Sequence, residues 1–167
     1  MNTVQDTLTP NGYFSSMIYT IKKPEFLDKT ITVCNELLDA AKKIQPINET
    51  YPSIMSGSMI GILDLHSLEK FIAESSWLIL DSQGYRMDDF LAYVSEFWVQ
   101  EHFKYSGLEQ HIHSHNVVIS GFYFLETPDN GCMIELHDPR AGKVQASLPF
   151  KDLSQQTILC TLSPKKV

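Results

Sequence analysis

The chain has 167 residues, 43% of them hydrophobic and 20% charged, with a formal net charge of −7. That is one domain's worth of ordinary globular composition, which excludes a disordered chain. Its Lys and Arg residues are scattered, with pairs at Lys22-Lys23, Lys42-Lys43 and Lys165-Lys166 but no basic stripe, so no nucleic-acid partner is expected.

The N-terminal "MNTVQDTLTPNGY" has neither a cationic nor an apolar signal region, so no secretory leader is expected. "YFSSMIYTI" (13–21) is aromatic and β-branched, which predicts a strand ended by Lys22-Lys23-Pro24. In "PEFLDKTITVCNELLDAAKKI" (24–44), Phe26, Leu27, Ile31, Val33, Cys34, Leu37, Leu38 and Ala41 recur at helical spacing. Pro24 suits the first turn, Glu25 and Asp28 its positive end, and Pro46 stops the helix. Residues 46–64 carry turn chemistry and predict an irregular connection. "HSLEKFIAESSWLILD" (66–81) predicts a second helix, "SQGYR" a break, and "MDDFLAYVSEFW" (87–98) the start of a third.

Beyond this point the pattern changes to short strand-like segments: "FWVQEHFKY", "EQHIHSHNVV", "ISGFYFLE", "CMIELHD" and "QTILCTLS". Ser-Gly, Pro-Asp-Asn-Gly and Pro-Arg-Ala-Gly turns separate them. The fold class expected is α+β, a single domain over 1–167, with a mainly helical region (1–95) supporting β-barrel strands (96–167). No apolar run approaches the roughly 20 residues a membrane-spanning helix needs. Cys34, Cys132 and Cys160 are isolated and odd in number, which fits a reducing cytoplasm better than a disulfide framework.

"LEQHIHSHNVV" (108–118) places His111, His113 and His115 on alternate positions, hence on one face of a strand. A solvated edge strand is one explanation and a metal site is the other. At about 3.3 Å per residue, His111 and His115 lie roughly 13 Å apart, so one ion can take only a neighbouring pair. That pair is His111 with His113 or His113 with His115, and the third imidazole serves as second-shell support or substrate contact. Two imidazoles with oxygen ligands and open positions suit Fe(II), and also Mn or Zn. A cupin-type metalloenzyme requires a glutamate four or five residues after the second histidine. Those positions hold Val117 and Val118, or Ile119 and Ser120, so a cupin is the weakest of the enzyme readings.

Read together, Trp98, His111-Ile112-His113, Ser120-Gly121-Phe122-Tyr123-Phe124, "ETPDNG" and Asp138-Pro139-Arg140 form an ordered motif series. The series resembles the 2-oxoglutarate/Fe(II)-dependent, prolyl-hydroxylase-like oxygenases common in marine phages. The resemblance implies a double-stranded β-helix (jelly-roll barrel), Fe(II), the co-substrate 2-oxoglutarate, and O₂-dependent oxidation of a substrate C–H bond. It places His111 and His113 as the first two metal ligands and Tyr123 and Arg140 as co-substrate contacts. His115, His137 and Asp138 follow as an additional ligand or second shell. No histidine follows His137, whereas the family carries a distal histidine and a basic anchor further on. The expectation is therefore a C-terminally truncated chain, its final strands missing, with a partial barrel whose open edge favours oligomers. The substrate, protein or small molecule, is not legible. The alternative to an enzyme is a non-catalytic barrel acting as an interaction or phage structural module.

Overall fold

The computed structural model describes residues 16–47, 49–50, 52–113, 116–128, 131 and 133–140, together with the backbone of 159–162. A 3-10 turn at Pro24–Phe26 leads into helix α1 (Leu27–Ile44), and a second such turn at Leu63–Leu65 leads into helix α2 (His66–Ser82). Four short strands complete the described elements: β1 (Ser53–Met55), β2 (Gln100–His102), β3 (Ile134–His137) and β4 (Leu159–Leu162).

The two helices lie where the apolar periodicity put them, and each end has a local cause. Pro24 opens the first turn, where its missing N–H costs nothing, and Asp28 stands near the positive end of α1. Lys42 and Lys43 occupy the negative end, and Gln45 turns extended directly before Pro46. α2 closes in a Schellman motif. Gly84, at φ 90°, permits Tyr85 N–H to reach Leu80 O (3.2 Å) while its own N–H reaches Asp81 O (2.9 Å).

α1 buries Thr30, Cys34, Leu38 and Ala41, one stripe at helical spacing. The Thr30 hydroxyl satisfies itself on Phe26 O at 2.6 Å, which lets a polar residue occupy the buried face. This stripe meets Ile54 of β1, Met59, Leu65 and Val99, and Phe97, Phe103 and Leu125 pack partly buried against the same cluster.

The described strands make two antiparallel pairs. β1 pairs with β2, Ser53 opposite His102 and Met55 opposite Gln100, and β3 pairs with β4, Ile134 opposite Leu162 and His137 opposite Leu159. Neighbouring bonds extend the first pair: Phe103 N–H to Pro52 O, Ser56 N–H to Val99 O, and Met59 N–H to Phe97 O. Residues 109–126, read from sequence as two strands, carry no ladder among the described residues. No barrel is evident among the described residues: the ladders are these two separate pairs, and β1 lies outside 96–167. Within the first expected strand, the described residues 16–21 likewise carry no ladder.

The expected third helix, over 87–98, is absent; that stretch holds a turn at 88–89, a bend at Ser95 and otherwise irregular chain. The reason lies in its backbone acceptors. Trp77 Nε1–H takes Phe90 O at 3.1 Å, and Met59 and Ser56 take the Phe97 and Val99 carbonyls. Of these, only the Phe90 carbonyl would have had an i→i+4 partner within 87–98; the aromatic and β-branched content of "FLAYVSEFW" also lowers its helix propensity. Among the described residues no helix is long and apolar enough to cross a membrane.

Leu65 is 1% exposed within the core cluster whereas Leu63, two residues earlier, is 87% exposed. Leu65→Ala is expected to lower urea-unfolding stability by about 2–5 kcal/mol, and Leu63→Ala by less than about 0.5 kcal/mol. Burial also pushes the Cys34 thiol up to about 11 from an ordinary 9.0. Folding therefore favours the protonated thiol. Its contribution is complete below pH 9 and is lost as pH rises towards 11, roughly 2–3 kcal/mol in all. The stability advantage of wild type over Cys34→Ala, read from urea unfolding, should shrink by about this amount between pH 8.5 and 11, because only wild type carries the thiol.

Candidate metal centre

Residues 96–103 run extended past the core, and alternation decides what each can touch. Phe97 and Phe103 pack on the core and Val99 is buried in it, while Glu101 reaches Lys42 of α1 at 2.7 Å. Glu96 and Trp98, on the alternate positions, are left on the other side of the chain. There they meet the histidine segment: the Trp98 and His113 ring centres are 6.3 Å apart, and Glu96 Oε2 is 4.0 Å from His113 Nδ1.

His111 and His113 are brought together. Their ring centres lie 5.4 Å apart in an edge-on arrangement with an interplanar angle of 69°. His111 Nδ1 is 2.9 Å from Glu109 O. A carbonyl oxygen can only accept, so in this contact Nδ1 carries the proton. That is how a metal-binding histidine is commonly held by its surroundings. As placed, however, no three His, Cys, Asp or Glu side chains among the described residues gather closely enough to hold an ion.

The other expected site residues have different settings. His115 lies outside the described residues. Tyr123 donates its hydroxyl to Lys23 O at 2.6 Å, and burial, then the Glu25 carboxylate, push its phenol above the ordinary tyrosine value. The phenol thus stays protonated, and its one proton is committed. Contact with a co-substrate carboxylate, which needs a donor, requires that bond to break. Asp138 and Arg140 form a closed clamp. The Arg140 backbone N–H and Nε–H reach Asp138 Oδ1 at 3.0 and 2.9 Å, and its Nη2 reaches Oδ2 at 2.6 Å. The Asp138 side chain is 6% exposed and that of Arg140 59%, so the carboxylate is covered and the guanidinium is presented outward in a fixed orientation. His137, exposed, ends β3 directly before this turn.

Glu96 escaped the sequence reading. Its signal was available in the alternation of "SEFWV", which sets Glu96 beside Trp98 once Phe97 and Val99 are assigned to the core. Elsewhere, an open groove of about 450 Å³ on α2 is lined by residues including Trp77, Leu78 and Leu91, with the Lys70–Glu74 ion pair at its edge and no histidine or cysteine. It offers mainly apolar contact.

Compared with family models, curated proteins and solved structures, the chain matches none.

Tyr123→Phe removes the Lys23 contact while keeping the ring. A loss of about 0.5–1.5 kcal/mol in urea-unfolding stability is expected. An unchanged midpoint would mean the hydroxyl contributes nothing to holding residues 120–125 on the N-terminal segment.

Proposed function

We propose that the chain is a non-haem Fe(II)/2-oxoglutarate-dependent oxygenase of the prolyl-hydroxylase-like kind, acting in a cytoplasm. Its fold on this reading is a set of helices on a double-stranded β-helix. The observation that carries the proposal is the His111–His113 pair, ring centres 5.4 Å apart, with His111 Nδ1 turned to Glu109 O at 2.9 Å. The order of the Trp98, His-Ile-His, Ser-Gly-Phe-Tyr-Phe and Asp-Pro-Arg motifs supports the same reading.

Bound Fe(II) with 2-oxoglutarate and O₂ supplies the oxidation of a substrate C–H bond. The chain's part is to position groups and exclude water. His111 and His113 would hold the metal. Trp98 stands against the His113 ring, limiting both its rotation and the approach of water on that side. Asp138 holds Arg140 in one orientation, leaving guanidinium N–H groups for the carboxylate of an anionic co-substrate.

Anaerobic addition of Fe(II) and 2-oxoglutarate should produce the weak visible charge-transfer band of the ternary complex, lost in His111→Ala and in His113→Ala. A folded sample that gives no band at any Fe(II) concentration overturns the proposal. A second reading, a non-catalytic interaction or phage structural module, is favoured by apolar side chains exposed on this same stretch. Ile112 is 86% exposed and Phe122 68%. It stands instead if the band is absent and sedimentation shows concentration-dependent association that Ile112→Ser with Phe122→Ser abolishes.

A further inference from the structure

We infer that the groove on the outer face of α2 is a self-association site, covered by the same face of a second copy of this chain. The inference is independent of the histidine pair and uses a different part of the fold.

The groove follows from the composition of α2. Leu68 and Leu80 are its buried residues. At 3.6 residues per turn, Trp77 and Leu78 lie roughly 120–140° round the helix from the midpoint of that pair. A helix that rests on a core by one side ordinarily carries polar residues on the other, and α2 breaks that pattern at these two positions. The opposite wall is pinned in place. Trp77 Nε1–H donates to Phe90 O at 3.1 Å, which holds Leu91 and Ala92 beside the helix. With its N–H satisfied, the indole has only apolar surface left to offer. The result is a trough of about 450 Å³ in which Leu78 is 63% and Leu91 91% exposed. An apolar trough with charged groups at its edge marks a contact site.

Charge identifies what covers it. The lining holds one lysine and one glutamate, Lys70 and Glu74, a net charge of zero within a chain of net charge −7. A strongly basic partner would be drawn to the acidic remainder of the surface, and a strongly acidic one repelled by it. Lys70 and Glu74 are exposed and only loosely paired, at 3.7 Å, so each has capacity for a second partner. Opposite charges four residues apart on one helix are complementary to themselves. A two-fold axis perpendicular to α2 sets two such helices antiparallel and brings Lys70 of each copy to Glu74 of the other. Leu78 and Leu91 then supply the apolar surface that both copies bury.

The test is sedimentation velocity of the full chain over a concentration series, with reductant present so that no disulfide contributes. Wild type should pass from one copy to two as concentration rises. Leu91→Glu and Leu78→Glu, each at an exposed position, should keep the far-UV circular dichroism of wild type and weaken association by about tenfold or more. Lys70→Glu should weaken it too, and Lys70→Glu combined with Glu74→Lys should restore it. Ile112→Ser with Phe122→Ser should leave it unchanged. A chain that stays single at every concentration overturns the inference. So does association that survives Leu91→Glu, or that is lost in Ile112→Ser with Phe122→Ser instead. Saturable binding of laurate by a chain that stays single, abolished in Leu91→Glu, makes the groove a small-molecule site and overturns self-association as well.

Discussion

The pairing of β1 with β2 is the constraint on which the rest of the described structure depends. Only three residues on each side form the ladder, but Pro52, Ser56 and Met59 continue it in bonds to Phe103, Val99 and Phe97. Ser56 adds its side chain, whose oxygen accepts Val99 N–H at 3.1 Å while its hydroxyl donates to Gly57 O at 2.8 Å, so a buried polar residue is satisfied at the centre of the seam. This fixes the register of residues 96–103. A slip by one would turn Glu96 and Trp98 into the core and put Phe97 and Val99 in water, so the apolar cluster and the histidine environment are set by the same register.

The helices were legible because their causes are local. The apolar stripe of α1 and its proline boundaries lie within the helix or next to it, and α2 is closed by Gly84 just beyond its end. The stretch 87–98 was misread as a helix because its periodicity is local while its bonding is not. The groups that claim two of its carbonyls, Met59 for Phe97 and the Trp77 indole for Phe90, lie 38 and 13 residues away in sequence. β1 was hidden for a related reason. "SIM" sits in turn-rich sequence, and its strand character comes from its partner rather than from any alternation of its own.

The site divides along the same line. The proximity of His111 and His113 could be read from their spacing, since the neighbours of an H-x-H pair are set by the backbone. Asp138 and Arg140 were marked as a motif, but their mutual clamp, which covers the carboxylate and exposes the guanidinium, is a tertiary fact about the turn. Glu96 precedes the motif by fifteen residues and enters only because the β1–β2 seam presents that side of the chain.

The bond from Tyr123 to Lys23 closes a loop of 100 residues. Bringing the ends of such a loop together costs roughly 4 kcal/mol in chain entropy, several times the net worth of about 1 kcal/mol of the bond itself. It cannot drive that closure. The β1–β2 seam and the core, including Leu125, must first bring the two segments near each other, after which the hydroxyl finds its carbonyl at little further cost. In kinetic terms the contact belongs after the folding transition state. It acts on how fast the native chain opens rather than on how fast it forms.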